Sequence, residues 1–162
     1  MSLAALGLLF VYTARAGETP QMRAVVAHEY GAPDVLKLEQ VQRPEPNEDE
    51  ALVRVIASSV NPADPLTLSG KYAKEFGTHL PLIAGYDIAG VVEKTGANVT
   101  RLKVGDAVYG YPTFGGGWAD YVTVKESEVA AKPKSLNFVE SAAVPMGALT
   151  AWQDLVDVAK VQ

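Results

Sequence analysis

The sequence predicts a mainly β domain with short helices, curled toward a barrel rather than wound as alternating βαβ units. Three observations predict it. Short segments alternate apolar and polar residues from Met22 onward; ten prolines and fourteen glycines are spread through the 162 residues; and helical spacing is confined to the end of the chain. That length fits one domain with room for a sizeable core.

The elements follow in order. "RAVVAHE" reads as a strand, "YGAPD" as a turn and "VLKLEQV" as a second, alternating strand. "RPEPNEDE" is a polar loop punctuated by proline. "ALVRVIASSV" is a largely buried strand, with Leu52, Val53 or Val55, and Ile56 serving one face or the other. "NPADPLTLSGKY" carries two prolines, which limit it to a single short helical turn. "DIAGVVEKT" is a strand in which Gly90 marks a bend or a close backbone approach. "GDAVYGY" and "WADYVTV" are two more strands, joined through the glycines at 115–117. Asn137 and Glu140 have capping-box spacing, and Leu149, Trp152, Leu155, Val156 and Ala159 recur at helical spacing after Pro145.

Composition excludes several functions. A net charge of −5 argues against a nucleic-acid surface, whose phosphate contacts need clustered Lys and Arg. The basic stretch from Lys125 to Lys134 is diluted by Glu126 and Glu128 and reads as a solvated face. With no cysteine, disulfides, thiolate metal sites and thiol nucleophiles are impossible. Of the two histidines, His28 reads as a strand-end residue and His79 as a loop residue, too few for a metal cluster. "LAALGLLFVY" is too short to span a bilayer, which takes about 20 apolar residues, so no stable membrane span is expected. The run and the following "ARA" resemble a secretory leader, although the basic n-region is missing. A clipped leader, translation from upstream of Met22 and a vector scar all fit, and residues 1–20 are set apart as a leader-like or disordered extension.

Neither glycine cluster reads as a phosphate cradle. "GYDIAG" has P-loop spacing but is followed by Val91 and Val92, which supply neither the lysine nor the hydroxyl that the phosphates and Mg²⁺ require. A dinucleotide fingerprint opens a helix, whereas the segments after Gly90 and after "FGGGWAD" are strand-like.

Four separated segments, "MRAVVAHEYGAPDVLKLEQVQRPEP", "ASSVNPADPLTLSGKY", "LPLIAGYDIAGVVEKTGANVTRLKVGDAVYG" and "SAAVPMGALTAW", resemble the medium-chain dehydrogenase/reductase superfamily, and most closely its zinc-free quinone-oxidoreductase-like branch. The resemblance runs from Met22 to Gln162. It implies a GroES-like, partly open β-barrel over residues 22–146, with a C-terminal helix over 147–162 leading toward a Rossmann domain that lies beyond the sequence. Exposed apolar surface and an unpaired sheet edge should follow. In zinc-dependent members a cysteine stands three residues before the aspartate of "NPAD", and a histidine follows the glycine of Gly-His-Glu. Here those positions hold Asn61 and Tyr86, neither a usual Zn²⁺ ligand.

The resemblance therefore implies zinc-independent hydride transfer from NADPH to a quinone or enone, with most cofactor contacts in the domain beyond Gln162 and this chain inactive alone. It places Asn61, Asp64 and Tyr72 at the catalytic pocket, with Asn61 and Thr150 beside the cofactor. Many relatives carry a tyrosine five residues after the asparagine, where this chain has Leu66. Plainer roles stand beside these: Asn61 before Pro62 suits a turn, Asp64 suits a cap, Tyr72 suits half-buried packing, and Thr150 suits the helix interior. The alternative function is a non-catalytic GroES-like binding module; a third is an enoyl-reductase segment of a larger synthase. Relatives are often homodimers, so a homodimer is expected at full length. NADPH chemistry implies the cytoplasm, whereas a true leader over residues 1–16 would imply export to the periplasm.

Overall fold

The structure, a computed structural model, describes residues 19–161. The leader-like run and Gln162 lie outside the described residues. Among the described residues, eight strands form two antiparallel sheets. The small sheet has the order β2-β1-β4, from β1 (Gln21–Ala27), β2 (Leu36–Gln42) and β4 (Leu82–Ile83). The large one has the order β7-β3-β5-β6-β8, from β3 (Glu50–Ser58), β5 (Ile88–Thr95), β6 (Ala107–Gly110), β7 (Tyr121–Lys125) and β8 (Val129–Ala131). The described residues also form short α-helices, α1 (Ala63–Leu68), α2 (Ala73–Phe76), α3 (Phe138–Ala142) and α4 (Pro145–Trp152), the last continued by a π-helical stretch, Gln153–Val158.

The strands form where alternation lets one face pack. Ala51, Val53, Ile88, Val92, Val108, Val122 and Val124 come from four neighbouring strands and make the main core. Full burial of a side chain of this size is worth about 1.5–3 kcal/mol. A smaller cluster of Ala27, Leu68 and Leu82 seats α1 on the small sheet. The two sheets are stitched by the residues just before β7. Val25 donates its amide to the Trp118 carbonyl (2.8 Å), Asp120 donates to Arg23 O (2.9 Å), and Ala24 bridges Ala119. The Arg23 guanidinium adds a forked pair to the Asp120 carboxylate at 2.9 and 3.1 Å.

Several expectations are met locally. Asn137 caps α3 by accepting from the Glu140 amide, and Glu140 reciprocates at the Asn137 amide (2.9 and 2.8 Å). His28 follows β1 on the surface, 3.0 Å from Glu39. On the C-terminal helical segment Leu149, Trp152, Leu155 and Val156 are exposed, as expected.

Three features differ from the sequence reading. Ile56 is 44% exposed, because it is the extra residue of a bulge: Val55 pairs with Gly90 and Ala57 with Ala89, leaving Ile56 without a partner on β5. Helix α1 is longer than the single turn allowed for two prolines. Pro62 is its N-cap and Pro65 lies in its first turn, where an amide has no intrahelical acceptor, so neither removes a helical bond. The short strands β4 and β8 carry no alternation signal, and pairing to β1 and β6 defines them.

Gly90 is the tightest point of the β3–β5 ladder: a Cβ built there would lie 2.2 Å from the Arg54 carbonyl oxygen. Because that neighbour is backbone in a central strand, it cannot swing away. Gly90→Ala is expected to lower stability by about 1–3 kcal/mol in urea unfolding monitored by Trp fluorescence.

Candidate functional site

The site is built where β3 ends, β5 begins and α4 starts. Past Ser58 the chain enters α1 through an Asx turn: the Asn61 side-chain oxygen accepts from the Ala63 amide (3.0 Å). Asp64 closes the same turn. One of its oxygens accepts from the Asn61 amide (2.8 Å), and the other from the Gly85 amide (2.9 Å) in the segment between β4 and β5. Asp64 is 1% exposed. Gly85 fits this junction on two counts, since its φ is +94° and a Cβ there would lie 2.6 Å from the Trp118 backbone nitrogen.

The next two residues face the site. Tyr86 is 4% exposed; its hydroxyl shares a 2.8 Å hydrogen bond with Thr67 on α1, and its ring stacks on Tyr111 (centroids 5.7 Å apart, planes at 21°). Asp87 is 2% exposed and gathers donors from three places. Its Oδ2 accepts from Ser59 Oγ (2.7 Å) and Asn61 Nδ2 (3.2 Å), and its Oδ1 accepts from the Met146 amide in the first turn of α4 (2.8 Å). Ser58 Oγ donates to the Asp87 carbonyl (2.7 Å), and Trp118 Nε1 donates to the Ser59 carbonyl (3.1 Å), which fixes the loop from outside. These bonds settle the Asn61 amide: oxygen toward Ala63, nitrogen toward Asp87, with a second N–H to offer a ligand.

Beside this network lies a cleft of about 350 Å³ between α1 and the residues after β6, walled by Ala63, Thr67, Tyr86 and Tyr111, with Glu75 and Phe114 also lining it. Burial pushes the Tyr86 and Tyr111 phenols above their ordinary value, so both stay neutral donors through the physiological range. Burial also pushes the Asp64 carboxyl up; the bonds from the Asn61 and Gly85 amides pull the other way, and the Asp87 charge adds to the rise. Among the described residues no group of three or more His, Asp or Glu side chains is arranged to hold a metal ion.

The structure brings Asn61 and Asp64 into direct contact, around Asp87 and Tyr86. Tyr72 lies apart from the walls of the cleft. It is half-buried at the N-cap of α2, with the Lys71 ammonium 5.3 Å from its ring centroid. Thr150 is exposed on α4 rather than turned into the fold. Sequence reasoning missed Asp87, Thr67, Ser59 and Tyr111 as members of the site. A charged residue opening an apolar strand was a usable signal for Asp87, since such a group is rarely buried unless it has partners. Thr67 and Tyr111 carry no such signal, because only the fold sets them against Tyr86.

The network occupies the turn between two strands of a curled half-barrel, and residues 47–134, which span most of it, match the alcohol dehydrogenase GroES-like domain. The chain belongs to this GroES-like family. Similar curated proteins include the 2-methylene-furan-3-one reductase of Solanum lycopersicum, 42% identical over 144 residues, with 83% of this chain and 37% of that protein covered. The NADPH-dependent alkenal/one oxidoreductase of Arabidopsis chloroplasts is 40% identical over 153 residues, covering 89% of this chain and 39% of the relative. Among solved structures, the quinone oxidoreductase from Coxiella burnetii superposes with a TM-score of 0.79 at 34% identity, over 88% of this chain and 46% of that one. The GroES-like chain thus spans about two fifths of the length of these curated relatives. Its homologues are oxidoreductases of the medium-chain dehydrogenase/reductase superfamily.

Two carboxylates of this GroES-like domain should titrate to opposite sides of their ordinary value of 3.8. Asp64, raised by burial, holds its proton more tightly folded than unfolded, so its contribution to stability falls as pH rises above 3.8 through its folded value. Asp120, lowered chiefly by its Arg23 hydrogen bond, contributes stability at neutral pH that is lost as pH falls below 3.8. Side-chain carboxyl ¹³C titration is expected to place the Asp64 midpoint above 3.8 and the Asp120 midpoint below it; the reverse order would contradict both causes.

Proposed function

We propose that this domain is the substrate-holding part of an NADPH-dependent, zinc-independent reductase of quinones or enones. The observation that carries the reading is the Asn61–Asp64–Asp87 network with Tyr86 beside it. At the two positions where zinc-dependent members carry cysteine and histidine, this chain has an amide and a phenol, each committed to hydrogen bonds inside the protein. The names of the relatives, an alkenal/one oxidoreductase dependent on NADPH and a quinone oxidoreductase, support the cofactor and the substrate class.

The bound NADPH would supply the hydride. This chain's residues would hold and orient the acceptor. The second N–H of Asn61 donates to a carbonyl oxygen of substrate or to the cofactor's carboxamide, Asp64 fixes the turn that presents it, and the neutral phenols of Tyr86 and Tyr111 wall the cleft for a flat conjugated ring. Tyr72, at the N-cap of α2 and outside the walls of this cleft, is assigned to the approach to the substrate pocket, and Thr150 offers a hydroxyl to the cofactor from α4. Amides and hydroxyls suit uncharged carbonyl groups, and rigid placement rather than metal activation is then the source of rate. Most cofactor contacts are assigned to the Rossmann domain that the family resemblance implies rather than to residues of this chain, and the whole protein is taken to be a homodimer.

The test is NADPH oxidation by the polypeptide encoded in the complete reading frame, with 1,4-naphthoquinone and methyl vinyl ketone as acceptors. Turnover is expected, undiminished by a chelator, with Asn61→Ala lowering kcat/KM by about 10- to 100-fold. The 162-residue chain alone is expected to be inactive. Loss of turnover on chelation, or no oxidation with either acceptor, would overturn the reading.

A further inference from the structure

We propose that Asp87 is a positioning residue that ties α4 to Asn61, so that the orientation of α4 sets the orientation of the Asn61 amide. This rests on the reading of Asn61 as the group that faces substrate and cofactor. Asp87 is 2% exposed, and among the described residues no Lys, Arg or His forms an ion pair with it. Its charge is met by neutral donors and by the amino end of α4. That helix lacks a cap of its own: Val144 at its N-cap makes no side-chain bond, and Pro145 carries no amide hydrogen. The Asp87 carboxylate does the capping instead, through the Met146 amide, from 59 residues away in sequence.

The two oxygens of that carboxylate face different elements. Oδ1 serves α4, whereas Oδ2 is shared by Ser59 (2.7 Å) and Asn61 (3.2 Å) on the loop after β3. A carboxylate is rigid and planar, so a shift of α4 that carries Oδ1 with it must turn Oδ2. The Asn61 bond is the longer of the two at Oδ2 and lies at the outer edge of the normal range, so it responds first. The amide oxygen stays anchored by Ala63 (3.0 Å), which converts that response into a tilt of the nitrogen end. The geometry thus gives α4 a two-bond route to the one amide that the proposed chemistry uses.

The coupling can be read without turnover, from the Asn61 side-chain NH₂ signals of the ¹⁵N-labelled chain. Pro145→Gly, which loosens the first turn of α4, is expected to shift those signals and speed their exchange by about threefold. In an Asp87→Asn background the same change should leave them unmoved. Ser59→Ala keeps the carboxylate and removes the competing donor, so it should shift the bonded Asn61 proton downfield; this arm and Pro145→Gly decide the matter if Asp87→Asn does not fold. Asn61 signals indifferent to Pro145→Gly, or equally moved with and without the carboxylate, or unshifted by Ser59→Ala, overturn the proposal. In the full-length enzyme, absence of reductase activity would remove the proposed function and leave this coupling intact, so the two failures are distinguishable.

Discussion

Two buried carboxylates hold this domain together where its strands run out. Asp64 binds the amides of Asn61 and Gly85, and Asp87 binds Ser59, Asn61 and Met146. A carboxylate taken from water is costly unless its lone pairs are filled, and here amides and hydroxyls from separate elements fill them. The consequence is mutual. The carboxylates are tolerable only because the loop after β3, the strand entry at Gly85 and the start of α4 converge, and those three segments stay together because the carboxylates draw on all of them. The loss of either one would leave several donors buried and unanswered.

The same convergence explains why the site sits at an irregular end of the sheet. Regular pairing of β3 with β5 is interrupted between Leu52 and Val53 and again at Ile56, and Gly90 lets the strands approach more closely than a side chain would permit. Such irregularities add twist, and twist turns the strand ends toward α1 and the residues after β6. Tyr86 then meets Thr67 and Tyr111, and the cleft opens between them. Trp118 closes the arrangement by bonding the Ser59 carbonyl while its backbone joins the small sheet to the large one.

The glycines illustrate how one residue type serves several constraints. Gly85 combines a left-handed backbone with the close passage of Trp118, and Gly90 relieves a strand contact. The amides at 115–117 donate to Pro112, Ile83 and Gly85 carbonyls. In each case the backbone polar groups are used inside the protein.

The fold was largely legible in the sequence because the period-2 alternation of segments such as "VLKLEQV" and "ALVRVIASSV" and the proline and glycine punctuation report directly on strands and their ends. The capping box at Asn137 was legible for the same reason, since its partners are three residues apart. Family membership, too, was carried by motifs that stand in the chain as written. Bonds between residues distant in the chain were not legible. Asp87 reads as an isolated acid at the head of an apolar strand until the fold brings Ser59, Asn61 and Met146 to it, and Tyr86 reads as a replaced ligand until Thr67 and Tyr111 engage its hydroxyl and ring. Ile56 read as one face or the other of a largely buried strand, because alternation has no means of announcing the bulge that leaves it exposed. Local periodicity and turn chemistry, which depend on neighbours in the chain, determined the elements; the partners of buried polar groups, which depend on neighbours in space, were decided only by the tertiary structure.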